Sequence, residues 1–131
     1  MKVKTIKQEV IVPATPVEVY EAFMDAKKHS TFTGSRATCD PRVGGEFAAW
    51  DGYISGKNLE LEKGKRIVQE WVTTDWPEEY PPSRLALNFK AVKEGTEISM
   101  IHSEVPAEQA DDIEQGWIDF YWEPLKEYFN K

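Results

Sequence analysis

The sequence has one cysteine, two histidines and a shortage of positive charge, and each scarcity removes a class of chemistry. With Cys39 alone, no internal disulfide and no thiolate-rich zinc site can form, which fits a reducing, cytoplasmic setting. His29 and His102 lack the one-turn spacing that sets two imidazoles on one metal, so no metal and no cofactor is expected. Lys and Arg number 16 against 23 Asp and Glu, for a net charge of −7. Such a chain repels a phosphate backbone, and nucleic acid is not an expected partner. No apolar run approaches the roughly 20 residues of a membrane span. The start, Met1-Lys2-Val3-Lys4, leads into alternating residues instead of the apolar stretch of a signal peptide.

A catalytic constellation is missing as well. Cys39 has no base and orienting partner beside it, and the serines have no nucleophile-elbow context. Asp51, Asp75, Glu78 and Glu79 fall in turns and loops, where acids are ordinarily solvated.

What the chain does have is large apolar side chains: 40% of residues are hydrophobic, 12% aromatic, and five are Trp. Its 131 residues suit one domain, 1–131, that buries roughly two-thirds of its unfolded surface without staples. Alternation from Val3 to Val12 predicts a first strand, with Ile6, Gln8 and Val10 on one side and Val3, Thr5 and Val12 among the others. Pro13 ends it. Thr15-Pro16-Val17-Glu18 reads as a capping box with proline in the first turn, and Val19, Tyr20, Phe23 and Met24 form the apolar face of the helix that follows. Lys27 to Phe32 make a second short helix before Gly34 permits reversal.

A meander comes next, with strands at Arg36 to Cys39, Glu46 to Trp50, Tyr53 to Glu62, Arg66 to Thr74, Arg84 to Val92 and Thr96 to Glu104. Gly56 marks a bulge or sharp bend in the longest of them. Leu85, Leu87 and Phe89 share a face with Ile98, Met100 and His102, and that apolar face needs a cover. The final helix supplies it, starting near Pro106 and carrying Ala110, Ile113, Trp117, Phe120 or Tyr121, Pro124 or Leu125, and Tyr128 at helical spacing, with Ile118, Trp122 and Phe129 widening the stripe beyond what one sheet needs. Pro124 should kink it near Phe120 to Trp122. The class is α+β: a helix-grip fold in which a curved antiparallel β-sheet wraps around a long C-terminal α-helix, with two short helices after the first strand.

Val43-Gly44-Gly45-Glu46-Phe47, Asp51-Gly52-Tyr53-Ile54-Ser55-Gly56, Leu59-Glu60-Leu61-Glu62 and Lys65-Arg66-Ile67-Val68-Gln69-Glu70-Trp71 resemble successive strand motifs of the START-like, birch-pollen-allergen-like superfamily. Within it, Trp76-Pro77-Glu78, Leu85-Ala86-Leu87-Asn88-Phe89 and Gly116-Trp117 with Tyr121-Trp122-Glu123-Pro124-Leu125-Lys126 resemble the carboxy-terminal domain of activators of the heat-shock-protein-ninety ATPase. The resemblance spans essentially the whole chain. It implies a non-enzymatic binding module whose partner is a chaperone of that type. The full-length activators add a separate amino-terminal domain, so a stand-alone copy is expected to have a partial chaperone role or a different partner.

Two sets of residues are candidates for contact. Trp50, Trp71, Phe89, Met100, Trp117, Phe120 and Tyr121 could line a cleft between sheet and helix that carries or senses a small hydrophobic ligand, with Arg84 and His102 as polar anchors. Trp76, Pro77 and Tyr80 on a proline-rich loop, with Trp122 on the outside of the helix, could dock a protein. A third reading, a cyclase-like or hydrolase-like enzyme, depends on Arg84 and His102 facing the cleft.

Overall fold

In the computed structural model, which describes residues 2–130, one seven-stranded antiparallel sheet is covered by a bent helix. The strands are β1 (Val3–Val12), β2 (Thr38–Cys39), β3 (Glu46–Ala49), β4 (Ile54–Glu62), β5 (Arg66–Thr73), β6 (Ser83–Val92) and β7 (Gly95–Pro106), in the order β1-β7-β6-β5-β4-β3-β2. Strands β2 to β7 form an uninterrupted meander, and β1 closes against β7. Two helices, α1 (Pro16–Met24) and α2 (Ala26–Thr33), span the long connection from β1 to β2. This is the helix-grip α+β arrangement.

The local reasons are legible. Thr15 Oγ1 accepts the Glu18 N–H at 3.2 Å, while the Glu18 carboxylate accepts the Thr15 N–H at 2.9 Å, so two orphan donors at the start of α1 are satisfied reciprocally. At the end of α2, Gly34 takes φ 77°, a left-handed cap that side chains disfavour, and its N–H returns to the Ser30 carbonyl. Val19, Tyr20, Phe23 and Met24 are buried.

Gly56 is not a bulge. It pairs in register with Trp71, and a Cβ there would meet the Glu70 carbonyl and the Phe47 ring, so the site needs close backbone approach. The irregularity in β4 lies between Asn58 and Glu60. Asn58, wholly buried, donates to the carbonyls of Asp40 and Arg42 and accepts from Gln69 Nε2, stapling the β2–β3 connection to the sheet. Val12 faces the core with Ile6, since the even-numbered residues of β1 from Ile6 onward point inward, past a register shift between Lys4 and Ile6.

The terminal helix begins later than its proline suggested: Pro106 still pairs with Val3, and a turn intervenes before α3 (Ala110–Trp117). A π-helical segment (Ile118–Trp122) then leads into α4 (Glu123–Phe129). The cause is Pro124, which has no N–H to return to Phe120, and the Glu123 N–H reaches back five residues to the Ile118 carbonyl. The wide turn sets Phe120 outward and Tyr121 inward. Among the described residues, no helix is long and apolar enough to cross a membrane.

Candidate functional site

Between the strand ends and the terminal helix lies an apolar cleft of about 520 Å³, within the usual range for small-molecule sites. The sheet side contributes Trp50, Tyr53, Ile54, Trp71 and Thr73, and the helix side Asp112, Ile113, Gly116, Trp117, Phe120 and Tyr121. Tyr53 and Phe120, 46% and 55% exposed, stand where the cleft opens to solvent. Trp50 meets Phe120 at 5.5 Å and 70°, and Trp71 lies 6.1 Å from Trp117.

Trp50 reaches this position at a conformational cost. Trp50 and Asp51 both have positive φ, 53° and 57°, in a turn closed by the Gly52 N–H on the Ala49 carbonyl at 3.1 Å. That pattern belongs to type I′ turns, where glycine or asparagine is usual and a bulky ring costs roughly 1–3 kcal/mol. The Trp50 indole nitrogen is buried without a hydrogen-bond partner, near the Tyr121 hydroxyl but outside bonding geometry.

Two buried imidazoles hold the helix rings from behind. The Trp117 Nε1–H donates to His102 Nδ1 at 3.1 Å, so the ring proton sits on Nε2, which donates to Ser83 Oγ at 2.9 Å. The Ser83 hydroxyl in turn donates to the Trp71 carbonyl at 2.5 Å. Burial pushes the His102 pKa down to about 3. In the second clamp, His29 Nδ1–H donates to the Phe23 carbonyl at 3.2 Å, and Nε2 accepts the Tyr121 O–H at 3.0 Å. Burial lowers the His29 pKa and, in the opposite sense for an acid, raises that of Tyr121.

Ser83 and His102 share the separation of a nucleophile and its base, but not the chemistry. The facing nitrogen already carries the proton, the serine hydrogen is committed to a carbonyl, no carboxylate orients the ring, and both side chains are fully buried. Burial likewise raises the Cys39 pKa and keeps the thiol protonated. Among the described residues, no group of three or more His, Cys, Asp or Glu side chains is arranged to hold a metal ion.

Of the residues singled out in sequence, Trp50, Trp71, Trp117, Phe120 and Tyr121 come together at the cleft. Four others do not line it. Phe89 is buried against Tyr20 and Phe23 under α1, Met100 is in the core, His102 sits behind Trp117, and Arg84 is exposed between inward-facing Ser83 and Leu85. The expected polar anchors are therefore absent, and the enzyme reading loses its premise. Trp122 is corrected too: only 3% exposed, it stacks on Trp117 at 5.3 Å and donates to Gln8 Oε1 at 2.6 Å. Trp76 is half-buried against Trp71, donating to the Pro81 carbonyl at 3.1 Å, and neighbouring Pro77 is also half-buried. The Tyr80 hydroxyl accepts the Lys2 N–H and donates to the Lys2 carbonyl, so the proline-rich loop is tied to the start of β1.

Six lining residues escaped sequence reasoning. Thr73 shares the inward parity of Trp71, and Ile113 and Gly116 share the helix face of Trp117, so a parity count could have found them. Asp112 lies in the first turn of α3, where the helix dipole alone accounts for an acid. Tyr53 and Ile54 depend on the turn at Trp50, which no periodicity reveals.

Comparison with known proteins fits this architecture. The human protein "Activator of 90 kDa heat shock protein ATPase homolog 1" is 31% identical over 125 residues, 95% of this chain and 36% of that protein. The Dictyostelium discoideum "Activator of 90 kDa heat shock protein ATPase homolog" is 29% identical over 115 residues, 87% of this chain and 30% of that one. The chain thus spans about a third of the length of these relatives. The crystal structure of an HSP90 activator from Plasmodium falciparum superimposes with a TM-score of 0.85 and 27% identity, covering 98% of this chain and 96% of that one. Residues 13–130 match the sequence model of the family described as "Activator of Hsp90 ATPase homolog 1-like protein", and the chain belongs to that family.

Proposed function

We propose that this chain is a non-enzymatic binding module that acts on a chaperone of the Hsp90 type. The observation that carries the reading is the agreement in extent with the Plasmodium falciparum HSP90 activator, a chain of the same size and fold. The chemistry of the cleft supports it, since its largely aromatic lining sets no base or nucleophile beside its one carboxylate, Asp112. A cytoplasmic location goes with this partner. The docking surface is the rim where Tyr53 and Phe120 remain exposed, together with the Trp76 to Tyr80 loop, held at one end by Gln109 Nε2 on the Asp75 carbonyl at 3.0 Å. Sedimentation of the purified chain with an Hsp90-type chaperone from the same source tests this. Co-sedimentation that Phe120→Ala and Tyr53→Ala weaken is expected, and independent sedimentation of the two proteins would remove the reading.

The volume of the cleft favours a second reading, in which it holds a small, largely apolar molecule. Native mass spectrometry of gently purified protein is expected to show a bound small-molecule mass. A ligand-free protein that also binds none of a set of hydrophobic probes would contradict it.

A further inference from the structure

The aromatic walls come with acids and without a base. Trp50, Tyr53, Trp71, Trp117, Phe120 and Tyr121 surround the space, and Asp112 is the one lining residue with a formal charge among those described. The rings box a volume instead of stacking into a slab: Trp50 stands at 70° to Phe120 and 79° to Tyr121. A second carboxylate stands close by. Asp75 accepts the Thr73 hydroxyl at 2.6 Å and the Tyr53 hydroxyl at 3.3 Å, bonds that favour its ionised form. Burial first, then the neighbouring Asp75 charge and last that of Asp112, raise the Tyr53 pKa.

We propose that the cleft receives a hydrophobic organic cation, an ammonium or similar onium group on an aromatic or aliphatic body, with the charged end at Asp112 and the body among the rings. The inference rests on the reading of the cleft as a small-molecule site and names its ligand class. The alternatives fit less well. An anionic amphiphile would bring its head group to Asp112 and Asp75 with no Lys or Arg lining the cleft to receive it. A neutral apolar molecule fills the space but gains nothing from the carboxylate. A cation uses both features, because ring faces attract positive charge and a neighbouring carboxylate adds to that attraction. The net charge of −7 further raises the local concentration of cations, an effect that salt screens.

Three probes of nearly identical shape test the charge alone: benzyltrimethylammonium, neopentylbenzene and phenylmethanesulfonate. Binding is read by tryptophan fluorescence and by the indole N–H resonances of Trp50, Trp71 and Trp117. The cation is expected to bind at least about tenfold more tightly than its neutral isostere, and the sulfonate not to bind. Asp112→Asn, an exposed change that should leave the thermal transition in place, is expected to bring the cation close to the neutral probe while leaving the neutral probe unchanged. If the neutral probe binds as well as the cation, or Asp112→Asn leaves their ratio unaltered, the inference is overturned while the small-molecule site stands. If none of the three disturbs the tryptophans, the site and its ligand class fall together.

Discussion

The indole N–H of Trp117 and the Nδ1 of His102 are joined at 3.1 Å, and this bond fixes a wall of the cleft to the strand behind it. Four residues further along the helix, the Tyr121 hydroxyl makes the equivalent bond to His29. Each ring is locked by an imidazole that must stay neutral to accept the proton offered to it. The cleft is therefore organised before anything enters it, which lowers the ordering cost of binding.

Stability should depend on pH through these two clamps. Both histidines are held below their ordinary pKa of 6.5, His102 at about 3, so the unfolded chain takes up protons first as pH falls. Their contribution is complete above pH 6.5 and is lost on acidification towards the folded value. For His102 the loss is about 1.4 kcal/mol per pH unit, with a term of the same sign from His29. Urea denaturation between pH 7 and about 5, above the range where carboxylates dominate, should show the midpoint falling. His102→Gln should start less stable, by about 1–3 kcal/mol for the unpaired Ser83 and Trp117 groups, and have a shallower slope. A flat profile would contradict neutral clamps.

Trp122 and Phe120 sit two residues apart with opposite duties. Trp122→Ala is expected to cost about 3–5 kcal/mol of stability, because it empties the stack on Trp117 and frees Gln8. Phe120→Ala should change stability by only about 0.5–1 kcal/mol, the ring being more than half exposed, while weakening any complex at the rim. Thermal melts set beside binding assays separate the two.

Gly116 offers the reverse experiment. It lies inside α3 at ordinary φ, and an added Cβ would meet only Phe120 Cδ2 at 3.7 Å, a normal contact. Gly116→Ala should raise stability by about 0.5–1 kcal/mol through helix propensity and narrow the cleft slightly. A lower melting temperature would show that the helix backbone cannot accept a side chain there.

Much of this architecture was legible in sequence because it depends on local chemistry. The capping box at Thr15, the αL cap at Gly34 and the parity of Leu85, Leu87 and Phe89 each state their own structure. Pro124 announced a break in the terminal helix, although not that the chain would widen into a π turn. The site was harder to read. The polarity of Arg84 and His102 suggests anchors, but parity turns Arg84 outward and a tryptophan donor closes off His102. Asp112 is hidden in sequence because an acid in the first turn of a helix is ordinary, and its place in the lining depends on strand ends distant in sequence. Trp122 reads as exposed in sequence because the apolar stripe is wider than one sheet needs, whereas its indole has a partner across the sheet edge at Gln8.

The proposed action on an Hsp90-type chaperone is measured most directly by the steady-state ATPase rate of that chaperone. With the purified chain added in increasing amounts, the rate should rise to a plateau, and Phe120→Ala should move the plateau to higher concentration without unfolding the domain. An ATPase rate unchanged at saturating concentrations of folded protein would contradict the account.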